Sequence, residues 1–429
     1  MGKKYNLSFC EKYQYPPEIR QQLTTILGDI DKYISLENVH SVLLLGSTPR
    51  GELSYRYENE KLDIFSDYDM LIITKRRKTM AERELKMRLK QREVEFCRDN
   101  PLFQIDVGCL SLARFKIQAS SVWTYETKEN SVCIYGRDVR HLLPQVTVEK
   151  LDLGNTNELI LIRLWNMLLY IPQNVVLGRQ SEYENIIFKY IQARNALDIT
   201  TIFLPNVGIF LPTYTQRVEY ILRNCDQLKF QEIFGETFAE FLSTCLKGRR
   251  NNEFYYSLIE MYRNTLAGYT CLIKYILQIN RNTSIFDICE HVIAHSLKLN
   301  DRGIKFLRRY ILEFTAIRRH LSEKGVLSSI RWLLLKKKEP IICFLLNMHY
   351  ALLSEMLKES HLAALYLKKA ENYFYSFALS PFRKSDFSSF SQKWLYLRKE
   401  FVNFMWEWFF YFVEGKKQSF SKILEFNYG

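Results

Sequence analysis

The sequence predicts an α+β fold: a small mixed β-sheet with flanking helices, followed by a large all-α region. Two short apolar runs, Val42–Leu45 and Met70–Ile73, have the length and composition of buried strands. From about residue 157 onward, almost every segment instead carries apolar residues at helical spacing. This change places the main boundary near residue 150, with a sheet domain at 1–150, a helical domain at 151–300 and a helical C-terminal region at 301–429.

The composition is that of a folded, intracellular protein. Of the 429 residues, 47% are apolar, enough for two or three domains with their own cores. The net charge is +13, and most of the basic excess follows residue 150, where it would attract a polyanion but is also common without one. Nine dispersed cysteines without a Cys-x-x-Cys pair indicate reduced thiols. With no signal peptide and no transmembrane segment in the sequence, we expect a cytoplasmic location.

Each element of the sheet domain follows from a local pattern. Apolar residues at helical spacing predict a helix over Ile19–Ile30, and the polar insert Tyr55–Lys61 is expected to loop out between the two strands. The charged stretch Met80–Asp99 predicts a solvated helix that crosses between strands. Phe103–Gly108 alternates apolar and polar residues as a strand does, and Ser131–Asp138 indicates a further short strand. Strands joined through such a crossing helix are expected to be neighbours in one sheet.

Aspartates mark the candidate site. Asp67 and Asp69 are two residues apart at the start of the second strand, so their side chains project from the same face. Carboxylates this close repel each other unless a cation neutralises them, and their hard oxygen atoms suit Mg²⁺ bound together with a substrate's phosphates. Asp106 lies on the next predicted strand. Side by side, the three aspartates are able to hold two cations about 3.5–4 Å apart.

A glycine and a serine end the first strand. Gly46 lets the backbone approach a ligand closely, and Ser47 offers a hydroxyl, which together make a candidate phosphate cradle. Ordinary structural roles remain open for all of these residues. Ser47 is also suited to a turn or a helix N-cap, Asp67 and Asp69 to a solvated turn, and Asp106 to the exposed face of a strand.

The order of these motifs resembles the nucleotidyltransferase superfamily, which includes DNA polymerase beta, the poly(A) polymerases and the aminoglycoside nucleotidyltransferases. The Gly-Ser-x-x-Arg-Gly-Glu form at Gly46–Glu52, followed by Ser-Asp-Tyr-Asp, is similar to bacterial members. The resemblance covers about residues 40–110. It implies a nucleotidyltransferase that moves a nucleoside monophosphate from an NTP to an acceptor hydroxyl and releases pyrophosphate, with two Mg²⁺ ions, or Mn²⁺, held by the three aspartates.

A later helix extends the resemblance. The predicted helix Tyr183–Leu204 is similar to the helix of related enzymes that faces the cleft and offers a basic side chain to the nucleotide phosphates. Lys189 and Arg194 are the matching candidates, and the sequence does not choose between them. The resemblance further implies that residues 151–300 close the cleft. A solvated helix face is the alternative role for this segment.

Other classes of function remain open from the sequence. The chain also suits a catalytically inactive nucleotide-binding or helical interaction protein, a signalling-nucleotide synthase, or an enzyme that extends nucleic acid, although no recognisable RNA-reading motif supports the last. The aromatic segment Lys393–Phe412 is typical of a core helix, of an interface with a partner or a second copy, or of membrane-surface attachment. The acceptor of the transferred group is not identified by any motif.

Overall fold

A computed structural model of the chain describes residues 5–405 except for residues 59–60, 77–78, 99, 148–149, 152, 252, 296–337 and 378–386. The architecture is α+β in the N-terminal part and all-α afterwards, as the sequence predicts. The N-terminal elements are α1 Ser8–Lys12, α2 Pro17–Ile34, β1 Val39–Leu45, β2 Tyr55–Glu58, β3 Lys61–Ile64, β4 Tyr68–Thr74, α3 Thr79–Phe96, β5 Ile105–Ser111, α4 Leu112–Lys116, α5 Val122–Asn130 and β6 Val132–Gly136.

Four of the strands form a mixed sheet in the order β5, β4, β1, β6. β1 pairs antiparallel with β4 and β6, whereas β4 and β5 are parallel and are joined through the crossing helix α3. The strands are apolar because both faces are covered. Val42 and Leu44 of β1 enter one core, packed with α2 and α3, and Leu43 enters a second core on the other face. The predicted neighbourhood of the Asp69 and Asp106 strands is therefore confirmed.

The segment between β1 and β4 differs from the prediction. Tyr55–Glu58 and Lys61–Ile64 pair as an antiparallel hairpin, so the insert is not a simple loop. The reason is visible in the chemistry of the second arm. Leu62 and Ile64 alternate with polar residues and are buried in the same core as β4, which gives this short hairpin an apolar surface to pack against.

Eleven helices are described after residue 150. They are α6 Leu153–Leu169, α7 Gln173–Val176, α8 Glu182–Asn206, α9 Tyr214–Arg223, α10 Phe230–Phe234, α11 Phe238–Asn251, α12 Leu258–Leu277, α13 Ile285–His295, α14 Lys338–Met356, α15 Ser360–Phe377 and α16 Phe390–Met405. Each of these helices supplies buried residues to one continuous apolar core.

The central helix of this region is α8, with 25 residues. It begins with a capping box in which the Ser181 hydroxyl accepts from the Glu184 N–H and the Glu184 carboxylate accepts from the Ser181 N–H. Helices α6, α9, α11 and α12 pack around α8, so it is buried on almost every side. Gly268 of α12 permits the close approach, because a Cβ there would meet Phe238 and Ile199.

The helical core also takes in residues from the sheet domain. Phe65 and Leu102 belong to it, and the Phe65 ring lies 5.6 Å from the ring of Tyr190 on α8. At the other end of the chain, Trp394 of α16 is fully buried and its indole N–H donates to the Met348 carbonyl. The described part of the aromatic segment is therefore core, while residues 406–412 lie outside the described residues.

A histidine is sealed inside the helical core. His349 of α14 is fully buried, its Nε2 donates to the Leu164 carbonyl oxygen at 2.8 Å, and its Nδ1 accepts from the Tyr262 hydroxyl at 2.7 Å. Burial lowers the pKa of His349 from 6.5 to about 4, so the imidazole is neutral near pH 7.

Of the helices in the described part of the chain, none is both long enough and apolar enough to cross a bilayer.

Candidate active site

Asp69 and Asp106 are direct neighbours across the parallel strands. They are paired residues in the register of β4 and β5. Tyr68 and Met70, on either side of Asp69, belong to the core beneath the opposite face of the sheet, so Asp69 projects away from that core. Asp67 is half-buried. Because it lies two residues before Asp69, its side chain projects to the same side as that of Asp69. Asp69 and Asp106 thus lie side by side, and Asp67 lies two residues before Asp69 in the chain.

The Gly46–Ser47 bend lies against this aspartate pair. Leu45, the last residue of β1, is paired with Asp69, and Gly46 follows with a φ of +71°. A Cβ on Gly46 would lie 2.5 Å from Asp69 Oδ2, so only a glycine leaves room for that carboxylate. The backbone after β1 and the side chain of Asp69 therefore share one small space, and the use of that space as a phosphate cradle stays a prediction.

Ser47 is buried and begins a short 3₁₀ turn, Thr48–Arg50, but its hydroxyl does not cap that turn. Its carbonyl oxygen instead accepts from the N–H groups of Arg50 and Glu52. The N-cap alternative is thus not what the structure shows. Arg50 and Glu52 hold the loop in place rather than face the aspartates: their side chains pair at 3.7 Å, and Glu52 also accepts from the N–H and hydroxyl of Thr215.

Helix α8 brings a guanidinium to the aspartates. Arg194 Nη2 lies 3.3 Å from Asp67 Oδ2. Burial by itself would lower the pKa of Arg194, but the Asp67 carboxylate and the hydroxyl of Tyr214 outweigh it and hold the pKa well above its ordinary value. Lys189 lies on a different face of α8. The pKa of Glu260, at the start of α12, is lowered mainly by hydrogen bonds from Ser257, and the charges of Arg263 and Lys189 add to that effect.

A buried ion pair supports Asp106 from the other side. Lys90 of α3 lies 2.5 Å from Glu93 and 4.0 Å from Asp106. Glu93 in turn accepts from the N–H of Ile105 at 2.6 Å, which ties α3 to the start of β5. Burial raises the pKa of Glu93, while Lys90 opposes that shift. This pair is not predictable from the sequence, because Lys90 and Glu93 lie in a helix so rich in charge that no single residue stands out.

A second buried network joins the start of β4 to the helices. The Ser66 hydroxyl shares a hydrogen bond with the Tyr190 hydroxyl at 3.0 Å and accepts from Arg249 Nη2 at 3.3 Å. Arg249 Nε also donates to the Tyr190 hydroxyl at 3.0 Å, and the Arg249 carbonyl accepts from Ser54 at 2.7 Å. Sequence reasoning missed this network because its members are up to 195 residues apart and lie on no shared periodic pattern.

The aspartates match the chemistry of a divalent cation. Paired carboxylates at Asp69 and Asp106 supply the hard oxygen atoms that Mg²⁺ prefers, and one or two carboxylates with a substrate's phosphates are its usual ligands. Within the described residues there is no group of three or more His, Cys, Asp or Glu side chains arranged to hold a metal ion. Binding through the Asp69 and Asp106 pair fits the geometry, and participation of Asp67 as a third ligand stays a prediction.

A separate cavity lies in the helical region, away from the aspartates. Its volume is about 620 Å³, and it is formed where the end of α12 meets α10. Its walls include Phe234, Tyr275 and Ile279, with Lys274 and Arg281 among the polar residues. None of the residues predicted from the motifs contributes to it.

No family model matches this chain, no curated protein matches its sequence, and no solved structure matches its fold. The site therefore rests on the geometry of its own residues.

Proposed function

We propose that this chain is a metal-dependent nucleotidyltransferase that moves a nucleoside monophosphate from an NTP to an acceptor hydroxyl and releases pyrophosphate. The observation that carries the proposal is the direct pairing of Asp69 with Asp106 beside the Gly46 bend. A pair of carboxylates beside a glycine bend suits a triphosphate with its cation, because the carboxylates bind the metal and the glycine lets the backbone approach the phosphate oxygens.

The reaction assigns a role to each residue. The oxygen of the acceptor hydroxyl attacks the α-phosphorus, the bond from that phosphorus to the bridging oxygen breaks, and pyrophosphate leaves with the electron pair. Asp106 accepts the proton of the hydroxyl. Gly46 and Ser47 bind the terminal phosphates, and Arg194 neutralises the negative charge that grows on pyrophosphate. Mg²⁺, or Mn²⁺, held by Asp67, Asp69 and Asp106 would screen the phosphate charge and orient the triphosphate.

Arg194 is the better of the two candidate cations on α8. Its guanidinium already contacts an aspartate of the site, whereas the charge of Lys189 acts on Glu260 at the start of α12. A phosphate group placed between Asp67 and Arg194 would replace the Asp67 carboxylate as the anionic partner of Arg194. The exchange costs little free energy, because the guanidinium keeps a charged hydrogen-bond acceptor.

The test is product formation from each NTP. The chain is incubated with Mg²⁺ and each labelled NTP, with a small-molecule extract as the source of acceptor, and pyrophosphate release and product mass are followed. Changing Asp67 and Asp69 to Asn should abolish release while the fold, measured by circular dichroism, is kept. Asp226→Asn, at an exposed position of the helical region, is the matched control and should retain full release. Full activity in the double variant would refute the assignment.

Nucleotide binding without turnover is the second candidate, and one observation favours it. Asp67 and Asp106 already have cationic partners in Arg194 and Lys90, at 3.3 and 4.0 Å. A pocket neutralised in this way needs no metal to remain stable. Saturable NTP binding that is unchanged by chelation of divalent cations, with no pyrophosphate released, would favour this candidate. An oligonucleotide or dinucleotide product would instead identify a nucleic-acid-extending or signalling-nucleotide synthase.

A further inference from the structure

Two parallel connections join the start of β4 to helix α8. Ser66 and Asp67 are adjacent in the chain, and Tyr190 and Arg194 are one helical turn apart on α8. The Ser66 to Tyr190 hydrogen bond is 3.0 Å long, and the Asp67 to Arg194 ion pair is 3.3 Å. The Ser66 to Tyr190 hydrogen bond therefore fixes where α8 lies along its axis and how it is rotated. The Asp67 to Arg194 ion pair forms at that position.

Arg249 of α11 binds both members of the first connection. Its Nε donates to Tyr190 and its Nη2 to Ser66, so one rigid guanidinium plane sets the distance between the two hydroxyls. The residue is 5% exposed. The guanidinium also lies 5.7 Å from the ring centre of Tyr190 and 5.0 Å from that of Tyr214, which are cation–π distances.

The charge of Arg249 is not balanced by a carboxylate within the described residues: the hydrogen bonds of its guanidinium there go to hydroxyl groups alone. Arg217, another buried arginine of the helical region, does have a carboxylate, since it lies 2.5 Å from Glu126. Burying a cation without a counter-ion costs stability. An apolar side chain of similar volume would fill the same space as well or better, so space-filling alone does not account for an arginine here. The geometry gives it another task, namely orienting the residue next to Asp67.

We infer that Arg249 is a positioning residue of the proposed active site, which acts through Ser66 and Tyr190 to hold the Asp67 carboxylate and the Arg194 guanidinium in one orientation toward the bound metal and phosphates. This inference rests on the proposed function, since it concerns the same site. Groups that bond directly to a metal-binding side chain commonly change metal affinity by about 10–100-fold when they are removed, and Arg249 acts one contact further out, so the lower end of that range is expected.

The probe is Mn²⁺ alone, titrated into the full chain and followed by electron paramagnetic resonance, so that the readout needs neither nucleotide nor acceptor. Arg249→Met should weaken Mn²⁺ binding by about 10-fold. Arg249→Lys keeps the charge but reaches only one hydroxyl, so its affinity should fall between those of the wild type and the methionine variant. If Arg249→Met does not fold, Tyr190→Phe takes its place in the experiment. This variant keeps the ring, removes the hydroxyl and should show most of the same loss of Mn²⁺ affinity.

The matched control is Arg217→Met. Arg217 is also 5% exposed and also links a helix to the N-terminal part, but through Glu126 of α5 rather than through Ser66. Its removal should lower the unfolding temperature without changing Mn²⁺ affinity. Equal Mn²⁺ affinity in wild type and Arg249→Met, or an equal loss in both methionine variants, would make Arg249 a structural cross-link and overturn the inference. A wild-type chain that binds no Mn²⁺ would overturn the metal-dependent function itself, and the inference with it.

Discussion

Replacing Gly46 with alanine should separate the cost of backbone strain from the crowding of an aspartate. Gly46 has a φ of +71°, a conformation that costs an alanine about 1–2 kcal/mol. Its new Cβ would also lie 2.5 Å from Asp69 Oδ2, so the carboxylate would have to move. Because that oxygen is the end of a side chain, the movement costs little stability. The displaced carboxylate would nevertheless no longer have its reacting geometry, and such a misplacement lowers turnover by about 100-fold.

Gly178 provides a control with the same backbone strain and no crowding. Its φ is +67°, and a Cβ there would meet nothing within 4 Å. Both alanine variants should lose about 1–2 kcal/mol in the free energy of unfolding, measured by urea denaturation. Only Gly46→Ala should lose Mn²⁺ binding and pyrophosphate release. Equal function in the two variants would show that the Gly46 bend and Asp69 do not share a ligand, and the proposed cradle would then be wrong.

Three further predictions concern stability. His349 has a pKa of about 4 in the fold against 6.5 when unfolded, so its contribution is intact above pH 6.5 and is lost as the pH falls toward 4, by up to about 3 kcal/mol; urea unfolding at several pH values should show this slope, and His349→Gln should flatten it. Ser181→Ala removes the cap of α8 and should cost about 1 kcal/mol, with no effect on Mn²⁺ affinity; an unchanged midpoint would contradict the capping. Phe65→Ala should cost about 3–5 kcal/mol by opening a cavity in the helical core, as measured by thermal unfolding, and a cost typical of an exposed residue would place Phe65 outside that core.

The sequence was sufficient for the local elements near the site. The apolar runs and the alternation around Asp69 and Asp106 predicted the strands and their adjacency, because a crossing helix between two strands leaves few other arrangements. The helix over Tyr183–Leu204 was also predicted to within two residues at each end. These features depend on periodicity, which a single chain displays directly.

What the sequence could not supply was contact between distant segments. The contact of Arg194 with Asp67 depends on the rotation of α8, and that rotation is set by packing against several helices. Arg249 lies in a basic stretch that, as a pattern, marks only a break between helices, yet α11 continues through it to Asn251. The pairing of Tyr55–Glu58 with Lys61–Ile64 was hidden for a similar reason, since its burial depends on a core built from segments that lie both before and after it in the chain.

Phe65 and Leu102 belong to the helical core although they precede the change from sheet to helix. A fragment that ends at residue 150 would expose both side chains to water and would be prone to aggregate. The two parts of the chain are therefore expected to melt as one cooperative unit, so that calorimetry should record a single transition for the region that includes residues 5–295. Truncation from the other end meets the same limit, because Trp394 of α16 lies in that core too and its removal would open it to water.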